Sequence, residues 1–72
     1  MSEKKIIEII KKYIKNKNFD SKTNLSHIKS WDSLTHLNIL FSIEKICKVK
    51  FNINEINSFK NIGDIIKSVK KK

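Results

Sequence analysis

Trp31-Asp32-Ser33-Leu34-Thr35-His36-Leu37-Asn38-Ile39-Leu40-Phe41-Ser42-Ile43-Glu44-Lys45-Ile46-Cys47 is the stretch whose reading decides the fold. From Leu34 onward it has helical period. Thr35, Asn38, Ser42 and Lys45 fall on one polar stripe, and Leu37, Ile39, Leu40, Phe41, Ile43, Ile46 and Cys47 occupy much of the rest. A helix apolar over more than half its circumference is expected to be the central, most buried one. Asp32 stands where an N-cap belongs, which makes Ser33 the start of this helix.

Upstream, Ile6, Ile7, Ile10, Tyr13 and Ile14 recur at helical spacing, with Lys4, Glu8, Lys11 and Lys15 on the other side. That pattern predicts an amphipathic first helix. Ser2 is placed to cap it, and Glu3 suits the positive end of its dipole. Between the two helices the period is lost. Asn16, Asn18, Asp20, Ser21, Thr23, Asn24 and Ser26 make 16–31 read as a long loop. Phe19, Leu25 and Ile28 are spaced through it as anchors to the body of the domain. A loop of this length in a compact domain is uncommon and often functional.

Downstream, Phe51-Asn52-Ile53-Asn54 reads as a bend followed by a short turn of helix, with Ile56 and Phe59 facing inward. Asn61 is placed to cap a last helix, with Asp64 three residues on in a box-like position. Ile62, Ile65, Ile66 and Val69 form its apolar face, and Lys70, Lys71 and Lys72 suit the negative end of its dipole. There is no proline, Gly63 is the only glycine, and neither strand patterns nor repeats appear. The expectation is one all-α domain over 1–72. It is a small four-helix bundle, three main helices and one short, with a long loop between helices one and two.

Size and composition restrict the function. A chain this short buries only about 60% of the surface its unfolded form exposes, and one such core supplies about 3–5 kcal/mol of net stability. That leaves little room for an organised catalytic cavity. Cys47 is the only cysteine, which excludes an internal disulfide and argues against a cysteine-based zinc site. A reducing, cytoplasmic setting fits. Glu8, Lys11 and Lys12 interrupt the N-terminal apolar residues, so no signal peptide is expected. No apolar stretch approaches the ~20 residues that span a bilayer, so no stable membrane insertion is expected.

The net charge of +9 arises from sixteen lysines against seven acids, with no arginine. It raises the possibility of an anionic partner. Lysine, isoleucine and asparagine make up 38 of the 72 residues. Their codons are A/T-rich, so genome composition accounts for such an excess. Phosphate recognition favours the planar fork of arginine. Lysines scattered without arginine therefore read as a solvated surface, and no nucleic-acid partner is expected. Terminal lysine groups belong to the same reading. A basic helix with an isoleucine face suits anionic lipid, but the isoleucines of the first helix are needed for the core.

Ser33 is the residue on which chemistry is expected. The first amides of a helix are unpaired and its dipole favours negative charge, so a phosphodiester on the Ser33 hydroxyl would lie in a favourable field. Position alone does not separate this from an ordinary capping serine. The wider pattern does. Asp32-Ser33-Leu34 is followed by Leu37, the pair Leu40-Phe41, Ile43-Glu44, then Phe51, and eleven residues later Ile62-Gly63-Asp64-Ile65-Ile66. Over nearly the whole chain this resembles the acyl and peptidyl carrier protein family.

The resemblance implies a covalent 4′-phosphopantetheine cofactor on Ser33, transferred from coenzyme A by a phosphopantetheinyl transferase that uses magnesium. Cargo would ride on the terminal thiol as a thioester, and the protein would be no enzyme. Asp32 would help orient the transfer, and Leu34 and Leu37 would contact the transferase and later enzymes. Those would be an acyl-loading ligase or synthase and an acyl-accepting transferase. Leu40, Phe41, Ile56, Phe59 and Ile65 would line an interior that shelters the cargo. The family's carriers are typically acidic along the second helix. Here that helix has Asn38, Lys45 and Lys48, with Glu44 its main acid besides Asp32. Because charge complementarity governs partner choice, Asn38 and Glu44 join Leu34 and Leu37 as expected partner contacts of a monomeric carrier dedicated to a specialised pathway. The rival class is a small basic helical module that binds nucleic acid or an anionic surface, with Ser33 a plain cap.

Other residues read more simply. His36 lies on roughly the side of Ser33, but no third orienting group completes a nucleophilic set, and it reads as a surface histidine near the arm. His27, His36 and Asp32 match no zinc spacing. Cys47 is expected to behave as a small hydrophobe. Trp31 is expected to anchor the loop over the bundle.

Overall fold

Isoleucine determines where the core lies. The computed structural model describes residues 2–14 and 18–72, with Ser2 as backbone only. The cap expected of the Ser2 side chain, and the positions of Lys15 and Asn16, fall outside the described residues. α1 (Ser2–Tyr13) buries Ile6, Ile9 and Ile10, with buried Ile14 just beyond its end. α2 (Ser33–Cys47), α3 (Ile53–Ser58) and α4 (Ile62–Lys70) complete an all-helical chain. Ile6, Ile39, Leu40, Ile43, Ile62 and Ile65 are wholly out of water, each worth about 1.5–3 kcal/mol against exposure.

α1 packs against both α2 and α4 and is the central helix. This corrects the expectation for α2. Only Ile39, Leu40 and Ile43 of α2 are buried, whereas Leu34, Leu37, Phe41 and Ile46 are exposed. A helix packed along one side hides one face, however apolar the remainder. Tyr13 is likewise not a core residue. It is exposed, and its hydroxyl shares a hydrogen bond with the Ser42 hydroxyl of α2. Ile9 stands in the core instead.

Leu25 and Ile28 are buried between α1 and α2, and Phe19 packs against the core, as expected of anchors. The backbone there is not wholly irregular, because Leu25–His27 forms a 3-10 turn capped by Asn24. An isolated antiparallel bridge joins Asn24 to Asn61. Around it the Leu25 amide donates to the Lys60 carbonyl at 2.9 Å, Ile62 to Thr23 at 3.2 Å and Gly63 to Ser21 at 2.7 Å. The first amides of α4, which no helical carbonyl can reach, are thus taken up by the connection. Asp64 donates to the Asn61 side chain at 2.8 Å, completing the expected capping box.

A single residue organises the turn from α2 to α3. The Glu44 carbonyl accepts from Lys48 and Val49, and its carboxylate accepts from the Phe51 amide at 2.8 Å. Lys48 is left-handed, with φ 58°. α3 begins with a capping box of Asn52 and Glu55. The Glu55 carboxylate also accepts from the Ser68 hydroxyl at 2.9 Å and pairs with Lys72 at 3.0 Å. Lys72 further lies 5.8 Å from the Phe51 ring centre. It is therefore not a purely solvated terminal lysine. The Asn52 amide first, then Lys72 and Ser68, hold the Glu55 carboxyl down at about 2.

Candidate functional site

Asp32 has extended backbone and caps α2, its carboxylate accepting from the Thr35 amide at 2.8 Å. That hydrogen bond, followed by one from the Thr35 hydroxyl, holds the Asp32 carboxyl below its ordinary 3.8. Ser33 is the first residue of the helix and is exposed. Its hydroxyl has no hydrogen-bond partner among the described residues. Its amide and that of Leu34 meet no backbone carbonyl among them either, in contrast to the occupied start of α4.

Leu34, Leu37 and Phe41 follow at helical spacing, 69%, 37% and 52% exposed. Exposed Asn38 and Lys45 lie on the same face of α2. The Glu44 carboxylate belongs instead to the turn, where it holds the Phe51 amide. This face therefore begins at Ser33 and is apolar with a cationic far end.

A groove of about 380 Å³ opens between the start of α2, the 3-10 turn and α3. Leu25, Trp31, Leu37, Ile56 and Phe59 supply its apolar lining; Ser26, Asp32, Ser33, His36 and Asn57 supply the polar part. It lies at the small end of the usual range for ligand sites. Of the residues expected to line a cargo-sheltering interior, Ile56 and Phe59 border this groove. Leu40 of α2 and Ile65 of α4 are fully buried in the interior and do not border the groove, whereas Phe41 lies on the exposed face of α2.

His36 is not a free surface histidine. The Trp31 indole N–H donates to its Nδ1 at 2.9 Å, and its Nε2 meets the Ile56 carbonyl oxygen at 2.9 Å. An Nδ1 that accepts leaves the proton on Nε2, which donates to Ile56. That carbonyl belongs to the last turn of α3 and has no helical amide to accept from. The imidazole lone pair is thus occupied and does not activate Ser33. The rings continue in series: Trp31 to His36 at 5.9 Å, His36 to Phe59 at 6.4 Å, Phe59 to Phe51 at 5.5 Å. Trp31 is half-buried against the core, an anchor that also walls the groove. Residues 31 and 36 occupy the positions of a hydrophobic staple around an N-cap, a signal present in the sequence.

Among the described residues, no three His, Cys, Asp or Glu side chains gather as a metal site. Cys47 is a free thiol, half-buried against the core. No helix among them is long and apolar enough to cross a membrane. The chain matches no family model, no curated protein and no solved structure.

Proposed function

We propose that this protein is a stand-alone carrier, holding an acyl or aminoacyl unit on a 4′-phosphopantetheine arm at Ser33, without catalytic activity of its own. One observation carries the reading: an exposed hydroxyl, with no partner among the described residues, stands first in a fifteen-residue helix, between a groove and an exposed apolar stripe. The surroundings fit a phosphodiester, since the Ser33 amide, which meets no backbone carbonyl among the described residues, and the helix dipole favour negative charge there. Attachment forms the bond from Ser33 Oγ to phosphorus and breaks the pyrophosphate link of coenzyme A. Adenosine bisphosphate leaves, and the serine proton passes to a base of the transferase. Asp32, fixed by Thr35 and adjacent in sequence to the reacting serine, is the carboxylate that would help orient the transfer. Ser33 is exposed and so approachable by a modifying enzyme. When bound, the arm supplies a terminal thiol on a flexible tether, which raises the effective concentration of cargo at successive enzymes.

The partners are a phosphopantetheinyl transferase, a loading ligase or synthase and an accepting transferase. Leu34, Leu37 and Phe41 are the apolar contacts, with Asn38 beside them. Asp32 is an exposed carboxylate at the head of this face, Glu44 is held at the turn by the Phe51 amide, and exposed Lys45 and Lys48 follow, so the docking face is not predominantly acidic. Partner surfaces that are neutral or acidic fit it best, as in a dedicated cytoplasmic pathway. The test is intact mass before and after treatment with coenzyme A, magnesium and a broad-specificity transferase. A gain of one phosphopantetheine in the wild type, absent in Ser33→Ala, is expected. No gain in folded, unmodified protein sinks the reading. The rival, a basic module for nucleic acid or an anionic surface, draws on exposed Lys4, Lys5, Lys11 and Lys12 of α1. It predicts binding that is indifferent to Ser33→Ala and falls steeply with salt.

A further inference from the structure

The carrier reading leaves the cargo open, and the inference drawn here rests on that reading. His36 stands at the head of the buried stripe of α2. Leu40, one turn on, and Ile43, about two turns on, have no exposure. His36, Ile56 and Phe59 form the part of the groove wall behind which Leu40 and Ile43 lie along α2. Two hydrogen bonds hold this wall, from Trp31 to His36 and from His36 to the Ile56 carbonyl. Phe59 packs edge-on against the ring.

A hydrocarbon tail forced through would part the indole N–H, the imidazole and the carbonyl from one another at a part-buried site, and it has no hydrogen-bonding group to offer in exchange. Outside this strut the groove is small. Ser26, Asn57 and the Ser33 hydroxyl leave much of its wall able to hydrogen-bond. We propose that the Trp31–His36–Ile56 strut bars the passage from groove to core, and that His36 is the cargo-selecting residue. The carrier is accordingly built for a short acyl unit with hydrogen-bonding groups, an aminoacyl or hydroxyacyl unit, and not for a long alkyl chain.

The experiment loads Ser33 from hydroxybutyryl-coenzyme A and from octanoyl-coenzyme A with a broad-specificity transferase. Each thioester is then cleaved with hydroxylamine, and melting temperatures are taken alongside. In the wild type the two are expected to cleave within about twofold of one another, with no rise in melting temperature on octanoyl loading. In His36→Ala, and separately in Trp31→Phe, which keeps a ring but removes the donor, the octanoyl thioester is expected to cleave about fivefold more slowly than the hydroxybutyryl one. Octanoyl protection already present in the wild type overturns the proposal. So does equal cleavage of both thioesters in folded Trp31→Phe, which decides the matter even where His36→Ala does not fold. Failure to load either group onto folded protein removes the carrier reading itself, a different result from either of these.

Discussion

The amide of Gly63 donates to the carbonyl of Ser21 at 2.7 Å, and a β-carbon on Gly63 would stand 2.9 Å from that same oxygen. Glycine is required here for space, because its φ is not positive. Gly63→Ala should gain about 1 kcal/mol in helix propensity and lose about 1–3 to overpacking against backbone. The expected net is a loss of up to about 2 kcal/mol, read as a lower urea midpoint with unchanged slope.

The Glu55 carboxyl titrates at about 2 in the folded chain, below its ordinary 4.5. A depressed carboxyl adds stability that is complete above its unfolded value and disappears as pH falls through its folded value. Melting temperature should therefore decline between pH 4.5 and about 2. Glu55→Gln keeps a capping-box residue, but should be less stable at pH 6 and should show a flatter decline over that window.

Asp32 is separable into cap and charge. Asp32→Asn retains an acceptor for the Thr35 amide and should melt close to the wild type at neutral pH. Asp32→Ala loses the cap and should melt about 4–8 °C lower. Should Asp32→Asn be modified at Ser33 as fast as the wild type, its carboxylate has no part in orienting the transfer.

Leu40 and Phe41 are neighbours with opposite fates. Leu40 has no exposure, whereas Phe41 is 52% exposed. Leu40→Ala should cost about 2–5 kcal/mol by urea unfolding, and Phe41→Ser no more than about 0.5. On the carrier reading, Phe41→Ser should nevertheless slow modification of Ser33. An unchanged rate would remove Phe41 from the docking face.

Much of this fold is legible in local chemistry. Asp32 and Asn61 declare two helix starts because a cap and its helix lie within three residues of each other. Asn52 and Glu55 carry the same signature and mark α3 equally well. The assignment of α2 as the most buried helix fails for a physical reason. Periodicity reports how apolar a face is, and an apolar face left exposed looks the same in sequence as one turned to the core. The strut beside Ser33 is half legible. Trp31 and His36 sit at staple positions, but the Ile56 carbonyl is a backbone group twenty residues away from His36. Nothing local assigns Lys72 to Glu55 either, since packing of α4 on the rest of the bundle makes that pair.

Considered as a folding problem, the occupied start of α4 sets an order of events. A nine-residue helix is marginal in water on its own, and the acceptors for its Ile62 and Gly63 amides lie on Thr23 and Ser21, far back along the chain. Closing that distance costs chain entropy before any of these bonds can form. The first turn of α4 is thus a product of tertiary assembly, and its amides should gain protection from solvent exchange only when the connection docks. The Ser33 amide awaits no such distant acceptor, and the Leu34 amide meets the Asp32 carboxylate two residues away, so protection at the start of α2 should not depend on docking of the connection.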